Sequence, residues 1–480
     1  MRGSKSLLTL GLALACAAIT FSLAVCAQAQ VLHTVGVFDG SNGNGPYSSV
    51  VQGPDGNIYG TTDSGGNDTQ SGTLFRLTPS GEVTDLYNFC SLAKCADGWG
   101  PDAAPVVGID GNLYGVVQGG GTGQLGTFYR MTLDGEFTTL YTFCPTRPCT
   151  GGGAPTGIIL GGDGNFYGTT DGGGNDSGSG TIFSISPTGQ FKLLYTFCSL
   201  TPNCLDGTRA FYPPILGSDG NLYGVTWAGG SLGGGVLYEL TPSGTYTVLY
   251  NFCDTDLGCS GIGEPYYVVR DANGNFFGTT EYNAEGRGYG SVFEFTSTNQ
   301  LLVLHNFDDD NDWPYTGLTI ANDGNVYGVF GYDTKASGSI FTVTPAGVYT
   351  RIYSFDPDFR GDAGAPPVGP LFQGTDGSFY GVTPYGPGDF DGEVFRFSNG
   401  LSPLVETVPV MGPVGQSVLI LGNGLTGSTS VTFNGVAAAF TVESDTYISA
   451  TVPSGATTGA VSVVTPSGTL KGSPQFVVTK

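Results

Sequence analysis

The side chains able to do chemistry recur at one place in seven similar segments. After a short extended run, those segments carry Asp63, Gln118, Asp171, Trp227, Glu281, Gly331 and Pro384. Two carboxylates flanking a glycosidic bond can cleave it, one as acid and the other as base or nucleophile. Asp63, Asp171 and Glu281 are therefore candidates for carbohydrate chemistry, although they come from segments that are not neighbours. Aromatic planes beside carboxylates and amides do something different. They hold a sugar by stacking on its apolar face and hydrogen-bonding its hydroxyls. Trp99, Trp227 and Trp313, with Tyr282, Tyr289, Tyr332 and Tyr385, could supply that second chemistry. The same rings also suit a packing role, since tryptophan is mostly buried in folded proteins.

Other chemistries find little support. There are only two histidines, His33 and His305, which disfavours a Ser-His-Asp system. His305 occupies the place that Tyr87, Tyr141, Tyr195, Tyr250 and Tyr353 hold elsewhere, so its reading is structural. Asp308, Asp310 and Asp312 are spaced like the opening of a calcium loop. Trp313 then stands where that loop needs glycine, and Thr319 where it needs glutamate, so a solvated acidic loop is expected and no metal. Glycine runs such as 119–123 lack the lysine and helix of a phosphate loop. No cofactor is expected. A net charge of −24 and only 16 basic residues argue against nucleic acid as a partner.

Arg2 and Lys5 precede an apolar run from Leu7 to about Val25, followed by Ala27-Gln28-Ala29. This order reads as a cleaved secretory signal over residues 1–29, with an uncleaved anchor as the alternative. No later segment is long and apolar enough to span a bilayer, so the mature chain is expected to have no transmembrane segment. Cys16 and Cys26 fall in the signal. The remaining eight form close pairs, Cys90/Cys95, Cys144/Cys149, Cys198/Cys204 and Cys253/Cys259. Short even spacing in an exported chain predicts four local disulfides. A zinc site would need four ligands converging on one point, and these pairs recur once per segment. Each bridge closes a very short loop, worth about 2 kcal/mol.

These sites must be positioned by strands. Of 480 residues 82 are glycine, 12% are aromatic and only 12% charged, a composition that favours strands and tight turns over helices. One motif appears seven times: DGNIYG (55–60), DGNLYG (110–115), DGNFYG (163–168), DGNLYG (219–224), NGNFFG (273–278), DGNVYG (323–328) and DGSFYG (376–381). An interval of roughly 50–56 residues marks a repeat architecture. Each unit reads as four short antiparallel strands, which predicts a seven-bladed β-propeller over residues 30–401. Six units carry a fourth strand, ending at Phe89, Phe143, Phe197, Phe252, Phe307 and Phe355. The seventh lacks one, and VLHTVGVF (31–38) supplies it from the other end of the chain. Strand connectivity puts the DG and PSG turns on one face. The variable glycine and cysteine loops fall on the other.

From about residue 402 to 480 the period is lost, and short alternating strands predict a small immunoglobulin-like β-sandwich. The stretches GPVGQSVLILGNGL, VTFNGV, SDTYISATVPSGATTG and VSVVTPSGT closely resemble an IPT/TIG domain. The DGN-[ILFV]-YG core, the GTLFRLTPSG-type segments and the LYNF strands resemble the tandem repeats of bacterial choice-of-anchor GloVer-containing proteins. The resemblance implies a secreted repeat protein and brings no catalytic residues. The expectation is a monomeric, secreted or cell-surface binding protein, with the periplasm as a further compartment. It would recognise a glycan or protein on the variable face through Asp63, Trp99, Gln118, Asp171, Trp227, Glu281 and Trp313. The alternative is an extracellular carbohydrate-active enzyme, a glycoside hydrolase or lyase, using carboxylates there.

Overall fold

The repeated motif folds as a turn with its own internal lock. Gly56 sits at φ +80°, where a side chain would be strained, and lets the chain reverse. Asp55 then accepts hydrogen bonds from the Asn57 backbone N–H (3.2 Å), the Asn57 amide (2.7 Å) and the Tyr59 hydroxyl (2.6 Å). The tyrosine–aspartate bond recurs at Asp110, Asp163, Asp219, Asp323 and Asp376. In the fifth unit Asn273 replaces the aspartate and Phe277 the tyrosine, so acceptor and donor are lost together. Asp271 takes over there, bonding Asn273 and Asn275. The glycine that ends the motif makes room for a ring: a Cβ on Gly60 would lie 2.6 Å from Phe75.

The computed structural model describes residues 30–67, 69–175, 178–254, 261–283, 290–307, 314, 316–331, 338–355, 367–386 and 391–479. The expected signal over residues 1–29, the acidic run 308–312, Trp313, Cys259, Tyr289 and Tyr332 lie outside them. Seven four-stranded antiparallel sheets form the blades. The first comprises Val51–Gln52, Ile58–Thr62, Thr73–Leu77 and Val83–Asn88, and the second Val106–Val107, Leu113–Val117, Thr127–Met131 and Phe137–Thr142. The third comprises Gly153–Leu160, Phe166–Gly172, Thr181–Ile185 and Phe191–Thr196, and the fourth Ile215–Leu216, Leu222–Thr226, Gly233–Leu240 and Tyr246–Cys253. The fifth comprises Gly263–Arg270, Phe276–Tyr282, Ser291–Phe295 and Leu301–Asn306, and the sixth Leu318–Ile320, Val326–Phe330, Ser339–Val343 and Tyr349–Ser354. The seventh takes Val368–Gln373, Phe379–Thr383 and Glu393–Ser398 from the end of the repeats and Val31–Val37 from their start. Leu32 lies opposite Phe397 and His33 opposite Arg396, so the N-terminal strand closes the last blade.

Packing between blades makes the ring. Phe38, Val382 and Val394 of the seventh blade share a core with Val50, Ile58 and Phe75 of the first, and every other adjacent pair has its own such core. Phe89, Phe143, Phe197, Phe252, Phe307 and Phe355 are all buried, as is Phe38 in the seventh position of that series. The aromatic residue two places earlier stacks on the next blade: Tyr87 on Phe137 at 3.8 Å, Tyr195 on Tyr246 at 4.0 Å and His305 on Tyr349 at 3.7 Å. A proline at or just before the first strand of the next blade then lies over a glycine at the start of the third strand. Pro101 covers Gly72, Pro155 covers Gly126, Pro265 covers Gly235, and Pro46 covers Gly392 across the ring closure.

Cys90–Cys95, Cys144–Cys149 and Cys198–Cys204 are disulfides, and Cys253 is disulfide-bonded too. Two of these loops wrap a buried carboxylate that sequence reasoning missed. Asp97 accepts from Tyr87 Oη and the N–H groups of Ser91 and Leu92. Asp206 does the same for Tyr195, Ser199 and Leu200. Among the described residues no helix is long and apolar enough to cross a membrane.

The C-terminal module is a sandwich. One sheet holds Glu406–Val408, Ser417–Leu421, Tyr447–Thr451 and Phe440–Val442; the other holds Val436–Ala437, Ser430–Phe433, Val461–Thr465 and Gly468–Lys471. Ile420, Val431, Phe433, Ile448 and Val463 fill the space between them. Its first sheet docks on the DG-turn face of the ring. Val408, Leu419, Leu421 and Tyr447 join the core of Tyr59, Val107 and Leu113. Thr446 Oγ1 donates to the Pro54 carbonyl (2.6 Å) and Asn423 Nδ2 to Thr375 Oγ1 (2.7 Å).

Candidate binding site at the channel mouth

A cavity of about 970 Å³ follows the ring axis, lined by the innermost segment of every blade. At the loop-face end, two circles of variable residues meet. One is the position at the end of each second strand or just past it. The other is the residue that follows the latch proline, or Ala210 in the fourth blade: Tyr47, Asp102, Thr156, Phe211 and Tyr266, all of which line the cavity. The second circle was missed in the sequence, although the recurring Pro46, Pro101, Pro155 and Pro265 mark it.

The circles pair across blade boundaries. Asp102 shares a hydrogen bond with Asp63; crowding by protein, then the neighbouring Asp63 charge, pushes the Asp102 carboxyl up to about 7. Two carboxylates this close do not both ionise readily, so Asp102 keeps its proton to higher pH than an ordinary aspartate. Asp171 is raised by burial, and the Arg209 charge beside it opposes the rise. The Arg209 guanidinium also lies 5.5 Å from the centre of the Trp227 ring. Trp227 Nε1 donates to Glu281 Oε2 (3.1 Å), and Tyr266 Oη donates to the same oxygen (2.8 Å). Phe211 lies beside both aromatics, 6.0 Å from Trp227 and 6.5 Å from Tyr266. Tyr47 and Tyr385 hydroxyls approach to 3.5 Å.

The mouth thus joins carboxylates, one guanidinium, an amide from Gln118 and a half-exposed indole held by its own N–H. Such a surface can stack on an apolar ring face while hydrogen-bonding around it.

The repeat region matches the Gloeobacter/Verrucomicrobia repeat over residues 17–210 and again over 202–395. The chain belongs to the Gloeobacter/Verrucomicrobia repeat family. An IPT/TIG domain follows at residues 404–478. No curated protein matches the chain. Among solved structures, virginiamycin B lyase from Staphylococcus aureus is similar at 15% identity and TM-score 0.50, covering 77% of this chain and 99% of that one. That likeness is one of fold. PorZ, a surface component of the type-IX secretion system of Porphyromonas gingivalis, is 14% identical with TM-score 0.46, covering 88% of this chain and 58% of that one.

On this Gloeobacter/Verrucomicrobia repeat ring, the residues singled out in the sequence divide. Gln118 and Asp171 line the cavity, and Asp63, Trp227 and Glu281 are tied to residues at its mouth. Trp99, 46% exposed, instead folds over the backbone of Gly119 and is not part of the lining. Asp102, Arg209, Phe211 and Tyr266 are the additions. Among the described residues, no cluster of three or more histidine, cysteine or carboxylate side chains is arranged to hold a metal.

Proposed function

We propose that the chain is an exported binding protein that recognises a glycan at the channel mouth on its variable face. The observation that carries this reading is the Trp227 assembly. The indole is fixed by Glu281, flanked by Phe211 and Tyr266, and bordered by Arg209 and Asp171. A platform already ordered before binding saves the entropy of fixing side chains at that moment. Disulfides in four successive repeats support export to an oxidising compartment. The IPT/TIG module supports a spacing or interaction role.

A glycan array on the purified protein, with Trp227→Ala as comparison, tests this. Positive spots should weaken about tenfold or more in the variant. An array without hits, with capture of a protein partner instead, would redirect the reading to a protein ligand. One observation favours a second reading, a carbohydrate-active enzyme: the Asp102 carboxyl is pushed up to about 7 by burial and by the neighbouring Asp63 charge, as a general acid requires. Release of reducing sugar that Asp102→Asn abolishes would establish it.

A further inference from the structure

The axial cavity is open at the loop face, and the C-terminal module covers its other end. Leu404, Glu406, Ser473 and Pro474 form that floor. Register explains why Glu406 faces the cavity. Residues 406 and 408 alternate to one side of their strand and pair with Leu421 and Leu419, which pack on the propeller. Thr407 pairs with Ile420, on the side of the sandwich core. Val408, Leu419 and Leu421 are absorbed by blade residues, whereas Glu406 is left over the channel. It has no hydrogen-bond or ion-pair partner among the described residues, and enclosure alone pushes its carboxyl up to about 7.

The wall between mouth and floor is largely apolar, with Val51, Val106, Ile158, Ile159, Leu318 and Ile320. Asp102 and Asp171 stand at the top. No lysine, arginine or histidine is among the described residues that line the cavity, and Arg209 stays outside it beside Asp171. Acids at both ends of an apolar passage match a flexible methylene chain with a cation at each end.

We propose that the channel binds an aliphatic polyamine, one ammonium meeting Glu406 at the floor and another meeting Asp102 and Asp171 at the mouth. The methylenes replace water along the wall, and the half-buried Glu406 carboxylate gains a partner. This site shares Asp171 with the border of the glycan platform but goes beyond that reading, because Trp227 and Glu281 take no part in it.

Isothermal titration calorimetry with 1,12-diaminododecane and spermine, both long enough to follow an inner strand from mouth to floor, and with the neutral diol tetraethylene glycol tests the proposal on the unaltered protein. Both amines should bind and the diol should not. Glu406→Gln should weaken the amines about tenfold or more, as expected for loss of a charged hydrogen bond. Trp227→Ala should leave amine binding unchanged, which separates this proposal from the glycan reading. Equal binding of diol and diamine, or no amine binding, would overturn it. So would a folded Glu406→Gln protein that binds diamine as tightly as the parent; the diamine–diol comparison stands without any variant.

Discussion

Tyr129 and Tyr238 fill the position that is Phe75, Phe183, Phe293, Phe341 and Phe395 in the other blades. Both are fully buried, and neither hydroxyl has a hydrogen-bond partner among the described residues. A buried hydroxyl without a partner forfeits its hydration and gains nothing in return. Tyr129→Phe and Tyr238→Phe should each stabilise the protein by about 1 kcal/mol, read as a higher midpoint in urea unfolding. Tyr59→Phe should do the opposite, by a similar amount, because its hydroxyl bonds Asp55. Much at this scale was legible in the sequence. The DGNxYG aspartates read as turn residues and are so. Asp97 and Asp206 were not legible, since nothing in the sequence says that a cysteine loop will close around a carboxylate. Asp102, Arg209, Phe211 and Tyr266 escaped for a related reason: each meets its partners only when the folded loops converge, Asp102 on Asp63 and Arg209 on Asp171 across a blade boundary, Tyr266 on Glu281 within its own blade.

The strand Val31–Val37 is the element on which the ring depends. It was legible because the seventh repeat stops one strand short and the surplus strand stands at the other end. Thr34 Oγ1 donates to the fully buried Glu393 (2.8 Å), the Phe38 N–H donates to the Gly392 carbonyl (2.9 Å), and the Asp391 N–H donates to the Phe38 carbonyl (3.1 Å). Deleting residues 30–40 should remove about 3–5 kcal/mol through Phe38 alone and leave the outer edge of Glu393–Ser398 unpaired. The expected result is a large fall in melting temperature for all blades together, measured by circular dichroism. A truncated protein that melts with the parent would contradict the closure. The latch prolines were not singled out in the sequence; that each clamps the glycine of the preceding blade depends on the angle between sheets, which no single segment encodes.

At the scale of the whole molecule, the sandwich turns an open ring into a vessel with one entrance. The module itself was legible from its own strand pattern. Its seat was not, because Val408, Leu419 and Leu421 are ordinary strand residues until two folded units meet. Enclosure has a consequence for pH. At the floor, enclosure raises Glu406 from its ordinary 4.5 to about 7, and at the open mouth local crowding and the Asp63 charge raise Asp102 from 3.8 to about 7. Between about pH 4 and pH 7 the unfolded chain releases these protons while the folded chain keeps them, so this part of the stability declines as pH rises across that window. The melting temperature of Glu406→Gln should therefore gain on the parent from pH 4.5 to pH 7.5. A constant difference would show that Glu406 titrates normally.

The ring's seam also imposes an order of events on biosynthesis. Thr34 and Glu393 stand 359 residues apart. While blades one to six can each form from contiguous chain, the first strand made must wait, unpaired, until the last repeat has been translated. Contacts of such long range form late and slowly. Until then its hydrophobic side is a sticky end, the part of the nascent protein most in need of a chaperone's shelter.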